Sequence, residues 1–379
     1  MNKLRQRLNK NPVFRFMSSV KIAVACLFLL FILTFWGTVA QVQNGLLNAQ
    51  ERYFFSLYFL ISGFIPFPGA RLVLWVLFIN LICAAVRHFV FRLQNIGILI
   101  IHFGLLTYFV AAFFVFNLAH ESHLTLREGQ GANLTASYHD WELSVWPETA
   151  QAGKRHVYAF DAKDLVPGKI LTFAPLNLGV ITETYYLNAQ AYLSPDDAVT
   201  PDFKNDTGIK AITRVAQNKD PEKNVPAAIF SVKPNSGGAE RVLLYGGESK
   251  PTQIVLGDKT YNFLLRRKRF ELPFLVALID VAMQKHPGTE VARSYESKVK
   301  VDYEGVSRES RIYMNNPLRY RNFTLYQATY AIDAMGREIS TFAVVRNPAQ
   351  VMPYISCFIV FAGLATHFLL NAFRGRSVK

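Results

Sequence analysis

Four long apolar runs constrain this chain more than any other feature. A helix of about 20 apolar residues crosses the roughly 30 Å hydrocarbon core of a bilayer. The sequence therefore predicts an α-helical membrane protein with four transmembrane helices in a lipid bilayer. The four runs are about Ile22 to Ala40, Leu72 to Phe89, Ile96 to Leu118 and Met352 to Phe373.

Two segments near the N-terminus need separate interpretation. The apolar stretch Tyr53–Ile65 is too short to span, since Pro66 and Pro68 end it, and it is predicted to be interfacial or packed. The first run follows a basic start and ends in the small residues Thr38-Val39-Ala40, which is also typical of a cleaved signal peptide. An anchored first span is the preferred interpretation, because further spans follow it.

Basic residues are concentrated around the apolar runs. Residues 119–350 carry 28 Lys and Arg against 26 Asp and Glu, whereas the rest of the chain carries 13 basic residues and one acid. The hydrophilic region is thus nearly neutral, which argues against a nucleic-acid partner. The positive-inside rule predicts cytoplasmic termini and an extracytoplasmic 119–350 region. The basic clusters are Lys3, Arg5, Arg7, Lys10, Arg15 and Lys21; Arg87 and Arg92; and Arg374, Arg376 and Lys379.

The pattern of residues 119–350 predicts one large β-rich extracytoplasmic domain. Val299, Val301 and Tyr303 alternate with polar residues, and the turn dipeptide Glu304-Gly305 follows them. Thr324–Tyr330 and Ser340–Arg346 are further strand candidates. The predicted organisation is a membrane region 1–118, a β domain 119–350, and a last transmembrane helix with a basic tail at 351–379.

The cysteine pattern excludes two classes of protein. All three cysteines, Cys26, Cys83 and Cys357, lie within apolar runs. There is no C-x-x-C pair, so the chain is neither a thioredoxin-like redox protein nor itself a c-type cytochrome. No motif for a catalytic nucleophile or a phosphate-binding loop occurs, and no catalytic residue is assigned.

Two histidines within the predicted spans are the strongest site candidates. Polar groups in hydrocarbon are costly and usually serve a purpose. His102 and His367 each lie about six residues from the cytoplasmic end of a span, which predicts a common depth of roughly 9 Å. Either histidine could form hydrogen bonds within the bundle, act in a proton relay or ligate haem iron.

Small and polar residues predict how the third and fourth spans face their neighbours. Gly97, Gly104 and Ala111 recur every seven residues and indicate a close-packing seam, from which His102 points away. On the fourth span a polar or small stripe is predicted to face inward. Its members are Ser356, Gly363, His367 and Asn371.

Three other features are weaker candidates. Asn80 in the second span is predicted to hold helices together. His120 and His123 suggest a metal site, but two imidazoles are not a full ligand set, and a solvated turn after the membrane is the preferred interpretation. The basic run from Arg266 to Arg269 is predicted to be a solvated strand edge or loop, with contact to an acidic partner or haem propionates as the alternative.

Several short motifs, in this order and topology, resemble the ResB/CcsB family of the system II cytochrome c biogenesis pathway. The resemblance covers nearly the whole chain. It rests on Ile101-His102-Phe103-Gly104, His123 to Gly129, Leu272-Pro273-Phe274, Pro287-Gly288-Thr289, Met314-Asn315-Asn316-Pro317-Leu318-Arg319-Tyr320, and Leu325 to Tyr330.

The resemblance implies a membrane subunit of a haem lyase complex that helps carry haem b across the membrane and presents apocytochrome c for haem attachment. It implies a ResC/CcsA-type partner with a tryptophan-rich segment, which the four tryptophans here do not form. It also implies that His102 is an axial ligand of haem iron, with His367 as a weaker candidate for the same haem. The expected location is the bacterial cytoplasmic (inner) membrane, with a thylakoid as the alternative.

Two other functions remain open from the sequence. The chain could be a scaffold or apocytochrome chaperone whose partner handles all the haem. It could also be a membrane-anchored receptor or a transporter accessory unrelated to haem.

Overall fold

The chain divides into two compact units, each described separately below. The structure is a computed structural model that describes residues 7–88, 92, 95–148, 156–193, 202–234, 238–289 and 292–376. The helical unit consists of Met1–His120, Arg319–Thr324 and Val345–Lys379, and the β unit consists of Glu121–Leu318 and Leu325–Val344.

Four helices in the helical unit are long and apolar enough to cross a membrane. They confirm the four predicted apolar helices, and three of them extend a few residues beyond the predicted limits. The helices are α1 (Val20–Asn44), α2 (Ala70–His88), α3 (Ile96–Leu118) and α4 (Met352–Arg376). Shorter helices are formed by Pro12–Met17 and Leu46–Ala49, and Gln50–Phe55 forms a π-helix.

The short apolar stretch after α1 is packed rather than spanning, as predicted. Its residues form a hairpin of β1 (Tyr58–Ile61) and β2 (Ile65–Pro68). Phe59 is 8% exposed, and the Phe67 ring lies 5.4 Å from the Trp36 ring of α1. The prolines of β2 exclude a continuous helix here, because proline lacks the backbone N–H.

Helices α3 and α4 run antiparallel in close contact along a line of glycines. A Cβ atom on Gly97 would lie 2.5 Å from the backbone N of His367, and one on Gly104 would lie 2.9 Å from that of Val360. A Cβ on Gly363 would lie 2.7 Å from the backbone N of Ile101. These contacts confirm the predicted seam on α3, since only glycine lets the backbones approach this closely. The predicted stripe on α4 faces inward at Ser356, Gly363 and His367, whereas Asn371 is exposed.

Asn80 joins α2 to the segment that precedes α1. It is 4% exposed, and its Nδ2 donates to the carbonyl oxygens of Met17 (2.5 Å) and Ser19 (3.0 Å). Two turns further along α2, the Arg87 guanidinium donates to Arg15 O and to Ser18 Oγ. The predicted role of Asn80 as a link between helices is thus confirmed, with helix-end carbonyls as the acceptors.

We expect Asn80→Leu to destabilise the helical unit by about 2 kcal/mol, because two carbonyls lose their donor in a nonpolar setting. Thermal unfolding of the purified full chain measures the change. Ile79→Leu is the matched control, since Ile79 is 45% exposed on the same helix. Equal unfolding temperatures for both variants would contradict the assignment of a stabilising role.

The β unit is built from two main sheets. Its strands are β3 (His120–Arg127), β4 (Gly131–Pro147), β5 (Tyr158–Asp161), β6 (Ile170–Phe173), β7 (Leu178–Tyr186), β8 (Ala189–Tyr192), β9 (Ala211–Arg214), β10 (Ala227–Pro234), β11 (Glu240–Tyr245), β12 (Thr252–Leu256), β13 (Lys259–Lys285), β14 (Ala292–Tyr303), β15 (Val306–Tyr313), β16 (Leu318–Tyr320), β17 (Phe323–Ile332) and β18 (Glu338–Arg346). A four-stranded sheet has the order β11-β10-β7-β6. A ten-stranded sheet has the order β15-β14-β13-β4-β3-β18-β17-β16, with β12 on β13 and β5 on β4.

The strands that the sequence predicted are present in the structure. Strands β14 and β15 form a two-residue hairpin at Glu304 and Gly305, both of which have positive φ, as this tight turn requires. The other two predicted strands fall within β17 and β18. The main core lies between the four-stranded sheet and strands β4, β12 and β13, and it contains the fully buried side chains of Phe230 and Phe263.

Candidate functional site

One ring nitrogen of His102, on α3, forms a hydrogen bond, and the other is available to coordinate a metal ion. Its Nδ1 lies 2.9 Å from the backbone oxygen of Ile98, one turn earlier. A carbonyl oxygen can only accept a hydrogen bond, so Nδ1 carries the ring hydrogen and Nε2 keeps its lone pair. Metal-ligating histidines usually donate their other N–H in this way, which fixes the tautomer and the ring orientation. The His102 imidazole is therefore held in a form that can ligate iron.

His367 on α4 has the opposite arrangement. Its Nε2 lies 3.1 Å from the side-chain amide nitrogen of Asn371, which donates to it. Its Nδ1 is buried and has no hydrogen-bond partner among the described residues. Nε2 is occupied by the Asn371 amide and Nδ1 is enclosed by protein. In this arrangement neither nitrogen of His367 can coordinate a metal ion.

The structure does not bring the two histidines together. His367 lies level with Gly97, five residues before His102, which is about 7.5 Å along the helix axis. The expected common depth is therefore wrong, because α4 extends past the level at which α3 begins, so that His367 lies beside the first turn of α3. The rings also face differently, because His102 is about 140° around α3 from Gly97, which contacts α4.

His102 shares a face of α3 with aromatic residues that contact α2. By helix geometry, Phe109 and Phe113 lie within about 20° of His102 around the axis. The Phe109 ring is 5.6 Å from that of Phe78, and the Phe113 ring is 6.1 Å from that of Trp75. The prediction that His102 points away from the glycine seam is thus confirmed, and the face that it occupies is the one nearest α2.

The basic run in the β unit is not a solvated edge, and that prediction is wrong. It lies within β13 beside β4, where Arg266 Nε is 2.8 Å from Glu142 Oε1 and the Glu142 side chain is 7% exposed. Lys268 pairs with Asp161 at 2.7 Å. The alternative role, contact with an acidic partner or haem propionates, loses its basis for these two residues, because their charges are matched within the chain.

The next residue of the run, Arg267, has no carboxylate pair in the described part of the chain. Its guanidinium lies 4.2 Å from the centre of the buried Trp141 ring and donates to the backbone oxygens of Tyr138 and Glu222. Burial lowers the pKa of Arg267 below its usual value. Its contacts to Trp141 and two backbone carbonyls indicate a packing role.

His120 and His123 lie on strand β3 rather than in a solvated turn, so that expectation is also wrong. The His123 ring is 5.0 Å from the Tyr138 ring, and its Nδ1 is buried without a hydrogen-bond partner among the described residues. Burial lowers the pKa of His123, and Arg267 lowers it further, so the imidazole is favoured in its neutral form. No group of three metal-ligating side chains occurs in the part of the chain that the structure describes.

Comparison with known proteins finds similarity to one family model and to one curated relative. Residues 236–338 match the model of the ResB-like family. The matched residues make up about a quarter of the chain. It is also similar to Protein NrfI of Wolinella succinogenes, with 27% identity over 116 residues. That alignment covers 30% of this chain and 12% of the relative's length.

In the sequence, the ResB-like segment follows α3 and precedes α4, so it contains neither His102 nor His367. It includes all of β13, where Leu272 and Phe274 are each 2% exposed. It also includes the turn at Asn315, whose φ is 63°. The matched segment therefore contains buried core residues and a turn of the β unit, and the geometry of the two histidines is independent of the match.

Proposed function

We propose that this ResB-like chain is a membrane subunit of a system II cytochrome c haem lyase complex. In this role it helps carry haem b across the bacterial cytoplasmic membrane and presents apocytochrome c for covalent haem attachment. A ResC/CcsA-type partner supplies the tryptophan-rich haem-handling part. The ResB-like match and the similarity to Protein NrfI support a role in cytochrome c biogenesis.

The single observation that carries the haem part of the proposal is the geometry of His102. Haem has apolar faces and anionic propionates, so its passage through hydrocarbon needs a protein-lined position and a neutral ligand. The Nδ1 contact to Ile98 O leaves Nε2 of His102 as that ligand. His102 would act as an axial ligand of the haem substrate, and the chain's own contribution is to orient the imidazole.

The β unit suits the attachment side of the reaction for a chemical reason. Haem attachment requires thiols of the apocytochrome to remain reduced. The β unit contains no cysteine, so it cannot form mixed disulfides with these thiols.

The alternative function is a scaffold or apocytochrome chaperone that does not bind haem. One observation favours it: the ResB-like segment lies outside all four long helices. Under this alternative the β unit carries the function, and the partner handles all the haem.

Deletion of the chain tests the function itself. We expect a strain that lacks the chain to lose its c-type cytochromes on a haem-stained gel and to recover them with a plasmid copy. In a host without its own maturation system, this chain alone should give no holocytochrome c, whereas the chain with a ResC/CcsA-type protein should. Normal cytochromes in the deletion strain would refute both the lyase and the chaperone functions.

The proposed sidedness has a separate test. The basic ends of the chain gather at one end of the helical unit, since Arg87 contacts Arg15 O and Gly97 contacts His367. The positive-inside rule assigns that end to the cytoplasm. Alkaline phosphatase fused after Asn205 should be active, and the same enzyme fused after Arg376 should be inactive. The reverse pattern would overturn the proposed topology.

A further inference from the structure

A cavity of about 380 Å³ lies between α2 and α3, beside the π-helix that follows α1. Its walls are almost wholly apolar, and aromatic rings form most of them. The lining residues used below are Arg71 and Trp75 of α2, and Ala112, Phe113, Phe116 and Asn117 of α3.

The polar groups of this cavity are confined to one end. Arg71 is the second residue of α2, and Asn117 is the last but one of α3, so both lie where the apolar helices end. The Arg71 guanidinium carbon is 5.5 Å from the centre of the Phe116 ring. Arg71 is exposed, and none of the ion pairs among the described residues includes it.

The positive-inside rule does not explain the position of Arg71. The basic clusters of the chain lie at the opposite end of the helical unit, beside Arg15 and Arg87. Cations that set membrane orientation gather at that end, so Arg71 does not belong to them. An apolar cavity with one cation at the headgroup level is complementary to an anionic amphiphile.

We propose that the cavity binds an anionic phospholipid, with its phosphate at Arg71 and one acyl chain between α2 and α3. The lining contains no histidine, cysteine, methionine or tyrosine in the described part of the chain, so it offers no side-chain ligand to haem iron. An acyl chain is as well solvated by the bilayer as by the cavity. Selectivity therefore comes from the charge-assisted hydrogen bonds between Arg71 and the phosphate, supported by packing against Trp75 and Phe113.

Native mass spectrometry of the full chain tests this site. The protein is released from nanodiscs that contain phosphatidylglycerol and phosphatidylcholine in equal amounts. We expect wild type to retain phosphatidylglycerol preferentially and Arg71→Gln to lower that retention at least about tenfold. Ala112→Phe, which fills the cavity without changing its charge, should lower retention as well, and Arg71→Lys should keep part of it.

Arg52→Gln is the matched control. Arg52 lies within the same π-helix, but it does not line the cavity, and its guanidinium donates to Leu60 O at 2.9 Å. This variant should retain lipid as wild type does. The site assignment fails if Arg71→Gln retains as much phosphatidylglycerol as wild type, or if Arg52→Gln loses as much as Arg71→Gln. Loss of a haem adduct from Arg71→Gln with unchanged lipid would instead identify a porphyrin as the occupant and overturn the proposal.

Discussion

The His102→Ala variant is expected to lose at least about nine-tenths of the haem that the purified complex retains, because the iron loses an axial ligand. Cytochrome c maturation should fall with it. The abundance of the variant should stay close to that of wild type, since His102 is half-buried and its one hydrogen bond is to a carbonyl within its own helix. The Soret absorbance per complex and a haem-stained gel measure the two effects.

Rescue by imidazole distinguishes a ligand from a structural residue. In His102→Ala, added imidazole can occupy the vacated position and should restore part of the haem content and maturation. A structural histidine would behave differently: the variant would lose protein, and imidazole would not help.

His367→Ala is the matched control for this experiment, because it removes a second intramembrane imidazole whose Nε2 already bonds Asn371. We expect it to keep most of the haem. Full haem and full maturation in His102→Ala would show that the chain does not ligate haem through His102, and the chaperone function would then be the better one. A larger haem loss in His367→Ala than in His102→Ala would also contradict the assignment.

The second large effect is expected from Gly97→Leu, which should separate α3 from α4. Any Cβ at this position would lie 2.5 Å from a backbone atom of His367, and a backbone cannot move aside as a flexible side chain can. We expect a loss of about 2 to 3 kcal/mol in stability and a several-fold lower abundance in membranes. Quantitative immunoblotting of membrane fractions measures the abundance, and Gly97→Ala should give a smaller loss.

Gly238→Leu is the control for a bulky side chain in place of glycine, because nothing lies within 4 Å of a Cβ at that exposed position. Its abundance should match that of wild type. The protein that remains in the Gly97→Leu membranes should keep haem at His102, since His102 faces away from the glycine seam. Normal abundance of Gly97→Leu would show that the close contact between α3 and α4 is not required.

The sequence predicted the elements that depend on local patterns. The four spans follow from length and apolar content, which a bilayer requires of any helix that crosses it. The β14–β15 hairpin follows from alternation and the Glu304-Gly305 turn, whose positive φ angles the structure shows. The helix seam was predictable because glycines seven residues apart lie on one face, and the stripe that meets it on α4 includes Gly363.

Sequence reasoning failed where the partners of a residue are distant in the chain. The run at Arg266 was interpreted as solvated because four adjacent cations usually remain in water. Glu142, which pairs with Arg266, is 124 positions away, and only the pairing of β13 with β4 brings them together. The cavity between α2 and α3 was missed as well, although one sequence signal existed: Arg71 is a cation at the end of a span where the basic clusters are absent.

For the candidate site, the sequence by itself determined that two imidazoles lie within apolar helices, because the cost of polar groups in hydrocarbon makes such positions exceptional. Only the tertiary structure decided that the two imidazoles differ in depth, in direction and in hydrogen bonding. The contact of α3 with α4 at Gly97 sets His367 about 7.5 Å from the level of His102 and on another side of α3. Local helix geometry gives His102 a carbonyl acceptor and a free Nε2, whereas His367 has its Nε2 bonded and its Nδ1 enclosed. Helix packing fixes these positions, and no short-range pattern in the sequence encodes the axial register of α4 against α3.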